Sequence, residues 1–142
     1  MEPARVTEEE AGALRQGIQE FNEGFYFEAH DTLEEAWRGI RGAHRAFYHG
    51  LIQMATGLYH LTGGNLKGAE SQVSAGLKKL LPFGPVYLGV DVSSLVREME
   101  EVLGAIRSAR AGGGVRPGGS SFPRIAFDPE GLAGRTAGGA EK

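Results

Sequence analysis

Apolar residues in this chain recur in steps of three and four, and the pattern repeats at an offset of 40 residues. Leu14, Ile18 and Phe21 are followed by Gly24, then by Ala29, Leu33 and Trp37. The matching positions are Met54, Leu58 and Leu61, Gly64, then Ala69, Val73 and Leu77. Such steps put side chains on one face of an α-helix, whereas a half-buried strand needs alternation. Each half reads as a helix, a glycine turn and a second helix starting near a small Ala, where two helices can approach closely. This is the logic of a tetratricopeptide-like helix pair. Two pairs fall short of the three or so repeats that a free-standing solenoid needs, so a further helix has to cover the open face.

Local signals set the boundaries. Thr7 with Glu10 spells a capping box, and Val6 is placed to staple against Ala11. Asn22-Glu23-Gly24 ends the first helix. The second is expected over 25–38 and the third over 43–61, the latter with Phe47, Leu51, Met54, Leu58 and Leu61 as its stripe. Gly63-Gly64-Asn65 reads as a stop followed by an N-cap. The fourth helix ends at Pro82, and 83–87 reads as a loop. Asp91 caps the fifth, whose Val92, Leu95, Met99, Val102 and Ile106 pack on the bundle or on another subunit. The expected fold class is all-α: a five-helix, bundle-like domain over 1–110, built of two helical hairpins plus a packing helix.

Of the 142 residues 23 are glycine, and they crowd the end of the chain. Such composition buries too little apolar area to offset chain entropy. Residues 111–142 are therefore expected to be a flexible tail, with 111–121 as linker. Phe122, Ile125 and Phe127 form an apolar island in it. The segment 122–129 either docks on the helical body or moves with the tail.

The formal net charge is −3, which gives no electrostatic case for binding nucleic acid or an anionic membrane. Cysteine is absent, which excludes disulfides, a thiolate nucleophile and any Cys-ligated metal. No apolar run approaches the ~18 residues of a membrane span. The opening MEPARVTEEE is acidic and polar, so no secretory leader is expected. A soluble cytoplasmic protein is the expectation, with a second copy or another protein as the partner if it has one. Glycines 112–119 follow a helix and lack a Lys-Ser/Thr, so they are not a phosphate loop, and no Ser sits in a nucleophile elbow.

The second helix carries the notable chemistry. At about 100° per residue, Glu34 and Trp37 fall within about 40° of His30, with Tyr26 and Phe27 flanking them. His30 and Glu34 thus share the apolar arc, opposite Glu28, Thr32 and Glu35. A buried imidazole or carboxylate without a partner costs several kcal/mol. Three readings answer that cost. The pair is a satisfied polar network that fixes register, or two ligands of a divalent transition metal, or an acid–base couple. Two ligands are fewer than a metal needs, and position 34 is not the second His of a zinc-protease motif. The third helix offers partners in His49, Gln53, Thr56 and His60, a polar stripe in steps of four and three, with Gly50 and Gly57 beside it. Gln53 interrupts an apolar run and is expected to face inward, and His49 is a candidate further ligand. His60 is expected on a solvated face and His44 in a loop. Arg38, Arg41 and Arg45 favour the C-terminus of the second helix or bind an anion. The candidate pocket is Tyr26, His30, Glu34, Trp37 and Gln53, with His30 and Glu34 as metal ligands. It would serve a small protein with metal-binding or hydrolytic chemistry; the alternative is a helical-repeat interaction module in which the pair is structural.

The segments Phe21-Asn22-Glu23-Gly24-Phe25-Tyr26-Phe27-Glu28-Ala29-His30 and Leu33-Glu34-Glu35-Ala36-Trp37-Arg38 resemble the signature of the DUF309 family. The resemblance continues through Gly50-Leu51-Ile52-Gln53-Met54-Ala55, Gly64-Asn65, Gly68-Ala69 and Gly89-Val90-Asp91, covering roughly 14–95. The hallmark HxxxExxW stands here as His30, Glu34 and Trp37. This is a bacterial and archaeal family of unknown function. The resemblance implies a compact all-helical domain and metal binding at the motif, and it implies no particular activity. The Gly-rich end departs from the compact family pattern, although Pro123-Arg124-Ile125 is similar to a short C-terminal segment of some members.

Overall fold

The computed structural model describes residues 6–113 and 122–132. Most of the expected linker and tail, 114–121 and 133–142, lies outside the described residues. The domain is all-α. Its helices are α1 (Glu8–Asn22), α2 (Tyr26–Trp37), α3 (Ala43–Thr62), α4 (Leu66–Leu80) and α5 (Val92–Arg110). A 3₁₀ turn, Leu81–Phe83, carries the Pro82 that ends α4. A small antiparallel ribbon pairs β1 (Val86–Tyr87) with β2 (Val90–Asp91). Among the described residues, no helix is long and apolar enough to cross a membrane.

The caps form as their sequence signals require. Thr7 Oγ1 accepts from the Glu10 N–H and Glu10 Oε1 from the Thr7 N–H, both at 3.0 Å. Asn65 caps α4 through the Gly68 N–H at 2.9 Å, and Asp91 caps α5 through the Ser94 N–H at 3.0 Å. The two hairpin turns are copies of each other. Phe25 N–H bonds to Glu20 O and Gly24 N–H to Phe21 O; Asn65 N–H bonds to His60 O and Gly64 N–H to Leu61 O. Each is a Schellman motif, which needs a left-handed residue after the helix. Gly24 and Gly64 supply it at φ 87° and 82°.

Each helix packs on its neighbour in sequence, with α3 between α2 and α4. The repeat positions Leu14, Ile18, Phe21, Ala29 and Leu33 are buried, as are Met54, Leu58, Leu61, Ala69 and Val73. Close approach is made by glycine. A Cβ at Gly17 would meet Leu33, and one at Gly57 would meet Val73, which is the same contact 40 residues on. On α5, Arg107 Nε and Arg110 Nη1 reach Glu70 of α4 at 2.9 and 2.7 Å.

The sequence pattern predicts a loop at 83–87 and a loop position for His44. His44 instead lies in α3 and is 1% exposed. Its Nδ1 is 2.7 Å from the Tyr87 hydroxyl. Phe83 and Tyr87 pack their rings on Phe47, so the 3₁₀ turn and ribbon cover the start of α3. The ribbon turns through Leu88 and Gly89, both at positive φ, as a two-residue hairpin turn requires. Residues 122–132 lie against this end and the α1–α2 turn. Asn22 holds Ile125 by both its groups, Oδ1 accepting from the Ile125 N–H (2.7 Å) and Nδ2 donating to Ile125 O (2.9 Å). Asp91 N–H donates to Ala126 O and Asp128 N–H to Gly89 O. Ile125 and Leu132 are buried.

Candidate functional site

Trp37 of α2 meets His49 of α3, and Phe27 of α2 meets Tyr59 of α3, so the two helices run antiparallel. The polar stripe of α3 lies along this seam and reaches α4. The His49 ring lies 4.7 Å from that of Trp37. Thr56 and His60 share a cavity with Phe27 and His30. On the other side, a Cβ at Gly76 would stand 3.3 Å from Gln53 Cβ, and one at Gly68 would stand 3.0 Å from His60 Cδ2. The stripe is thus the floor of a groove between α2 and α4, and His60 belongs to it rather than to a freely solvated face.

His30 sits in the middle of the α2 wall. Its Nε2 is 3.4 Å from Glu34 Oε1 and its Nδ1 is 3.3 Å from Asp31 Oδ1. The His30 and Glu34 side chains are 26% and 30% exposed, so they edge the groove and are open to water rather than enclosed in the core. Arg38 Nη2 approaches Glu34 at 3.8 Å. One donor atom each from His30, Asp31 and Glu34 lie within 4.8 Å of one another. Asp31 was not foreseen: one residue from His30, it projects about 100° away, and only its side-chain reach brings it back.

Trp37 is held from both sides. Arg45 stacks over it with Cζ 4.1 Å from the ring centre. The same guanidinium donates to Trp37 O and Ile40 O, at 2.9 and 3.1 Å, so one arginine of the basic cluster does close the C-terminus of α2. Trp37 Nε1 and Gln53 Oε1 are buried and have no hydrogen-bond partner among the described residues. The described residues thus bury one unpaired donor on α2 and one unpaired acceptor on α3. His49 is not among the donor atoms grouped around His30. Burial lowers its pKa, Lys79 and Arg45 lower it further, and Glu34 partly opposes them. Tyr26 is not brought to this site. It is buried with its ring edge-on to Phe21 and Phe122, at 5.4 and 5.9 Å, and the aromatic beside His30 is Phe27, at 5.9 Å.

Residues 14–72 match the family model of DUF309, a domain of unknown function. The DUF309 match includes all of α2 and α3, and so the His30, Asp31 and Glu34 donors and the rings of Phe27, Trp37, His49 and Tyr59. The chain is also similar to an uncharacterized protein of Aquifex aeolicus (strain VF5), 28% identical over 96 residues. That stretch is 67% of this chain and 29% of the Aquifex protein, so the chain spans under a third of that relative's length.

Proposed function

We propose that the middle of α2 is a divalent transition-metal site opening onto the α2–α3 groove, with His30, Asp31 and Glu34 as its donors. The observation that carries this is the pair of carboxylate contacts on one imidazole, 3.3 Å at Nδ1 and 3.4 Å at Nε2. A neutral imidazole has a single N–H. At one of the two contacts, then, the ring nitrogen has no proton to offer the carboxylate beside it. Two acceptors at that range are reconciled by a shared cation, either a proton or a metal ion. One imidazole nitrogen with carboxylate oxygens is a donor set that zinc, manganese and iron(II) accept. When bound, the ion would polarise a water or a carbonyl oxygen. Trp37 would wall the site, and Gln53, whose buried Oε1 lacks a partner among the described residues, would orient a ligand or a water that reaches it.

The test is elemental analysis of untagged protein purified without chelator, beside Glu34→Gln. Near-stoichiometric metal in the wild type, lost in the variant with its helical circular dichroism unchanged, is the expected result. A wild type that holds no metal after incubation with zinc, manganese and iron(II) sinks this reading.

A second reading has its own observation. Phe25, Phe27 and Tyr59 are 53%, 49% and 47% exposed, and large aromatics in the open mark interaction surfaces. In that reading the shared cation is a proton, the His30 pair is structural and the groove binds a protein. His30→Ala would then cost roughly 1–3 kcal/mol with no metal to lose.

A further inference from the structure

Beside the proposed metal donors lies a cavity of about 140 Å³, lined by Phe27, His30, Thr56, Tyr59 and His60. Its size is informative: an apolar cavity of about 150 Å³ admits one benzene ring. Its walls are informative too. The Phe27 and Tyr59 rings stand 5.5 Å apart, tilted by 49°, and each is about half exposed. The Thr56 hydroxyl spends its proton on Ile52 O at 2.9 Å, within its own helix. No lysine, arginine, aspartate or glutamate lines the space. What it offers is aromatic surface with an imidazole at its edge, and that imidazole is the one that stands between Asp31 and Glu34.

We propose that this cavity seats the ring of a small aromatic carboxylate whose carboxylate is held by the ion at His30, Asp31 and Glu34. The inference rests on the metal reading and names the ligand class for it. The uncharged ring matches the walls, and offset or edge-to-face contact with Phe27 and Tyr59 is the packing such rings prefer. The lining holds no lysine or arginine, only the imidazoles of His30 and His60, so the ion at His30 is the strongest partner for an anionic end. Three protein donors leave the ion at least one open position, which a carboxylate oxygen can fill. Affinity is therefore expected to depend on metal for an aromatic carboxylate and not for a neutral ring of the same size.

The experiment titrates sodium benzoate, and separately benzyl alcohol, into zinc-treated and metal-free protein. It follows the amide resonances of Phe27, Tyr59 and His60 by NMR, with zinc counted in the same samples. Saturable benzoate shifts in the zinc form, weakened about tenfold or more without zinc, are expected, while benzyl alcohol responds equally in both. Tyr59→Ala and Phe27→Ala remove half-exposed rings, so both should fold and keep zinc. Each should weaken benzoate by up to about tenfold. Full zinc with no benzoate response, benzoate binding that ignores zinc, or aromatic-to-Ala variants that bind like the wild type would each overturn the proposal and leave the metal reading standing. A wild type that takes up no zinc overturns both.

Discussion

The hairpins α1–α2 and α3–α4 are built on one frame and put to different uses. Their turns share the same backbone hydrogen bonds, and their helices close through the same glycine, Gly17 on Leu33 and Gly57 on Val73. Position 30 matches position 70, and each side chain faces the helix that follows its hairpin. His30 borders a cavity shared with Thr56, Tyr59 and His60 of α3. Glu70 is gripped by Arg107 and Arg110 of α5. The second hairpin spends its seam on an ion-paired clamp. The first leaves its seam half open, with Asp31, Glu34 and Trp37 where the second has Ser71, Ser74 and Leu77. The frame is thus separable from the chemistry, since the polar and aromatic constellation is what the first hairpin adds at positions the fold does not require it to fill that way.

The comparison breaks most visibly at the close-approach glycines. A Cβ at Gly57 would stand 2.6 Å from Val73 Cγ2, 3.2 Å from Val73 N and 3.4 Å from Ala69 O. At Gly17 the three nearest atoms all belong to the Leu33 side chain, starting at 2.6 Å. Backbone cannot step aside, whereas a leucine can change rotamer. Gly57→Ala is expected to cost about 2–3 kcal/mol, even after the helix-propensity gain of about 1 kcal/mol. Gly17→Ala should cost about 1 kcal/mol or less. Urea denaturation of the two variants measures the difference, and equal costs would mean that the hairpins pack less alike than their turns.

A smaller effect separates the helix starts. Phe25 and Asn65 occupy the same cap position with the same backbone, φ −89° and ψ 72° against φ −89° and ψ 83°. Asn65 caps its helix by a side-chain bond and Phe25 does not. Asn65→Ala should therefore lose about 1 kcal/mol, and Phe25→Asn should gain about 0.5 kcal/mol by installing the missing cap. Thermal melts of both decide it. A loss on Phe25→Asn would show that the exposed ring contributes packing which the frame comparison overlooks.

The helices, caps and turns were legible because their causes are local: a 3.6-residue period, a capping side chain, a glycine after the last turn. His44 was misplaced because what buries it, the Tyr87 ribbon, lies 43 residues away, and strands of two residues carry no period to read. The Asn22 amide gave no sign that it would hold Ile125, 103 residues on. Within the candidate site, His30, Glu34, Trp37 and the α3 stripe were visible as an unexpectedly polar arc. Tyr26 shares that arc, but it is the first residue of α2, where α1 and Phe122 cover it. A helical wheel ranks direction around the axis and is blind to what covers each end.

The finest distinction between the hairpins is electrostatic. Hydrogen bonds from Arg110 and Arg107 hold the Glu70 carboxyl below the ordinary glutamate value, and desolvation opposes them only in part. A carboxylate whose folded pKa is depressed adds stability above its unfolded pKa, and that contribution is lost as pH falls through the folded one. The α4–α5 clamp should therefore hold through neutral pH and release only on acidification beyond the usual glutamate range. Carbon-13 NMR of the Glu70 carboxyl should give a depressed midpoint that returns toward the ordinary value in Arg110→Gln, and less so in Arg107→Gln. Because the pair lies at the surface, added salt should erode the depression. A midpoint that ignores both arginines would mean that the second seam is closed by apolar packing alone, and that His30 and Glu70 share a position without sharing a way of meeting the next helix.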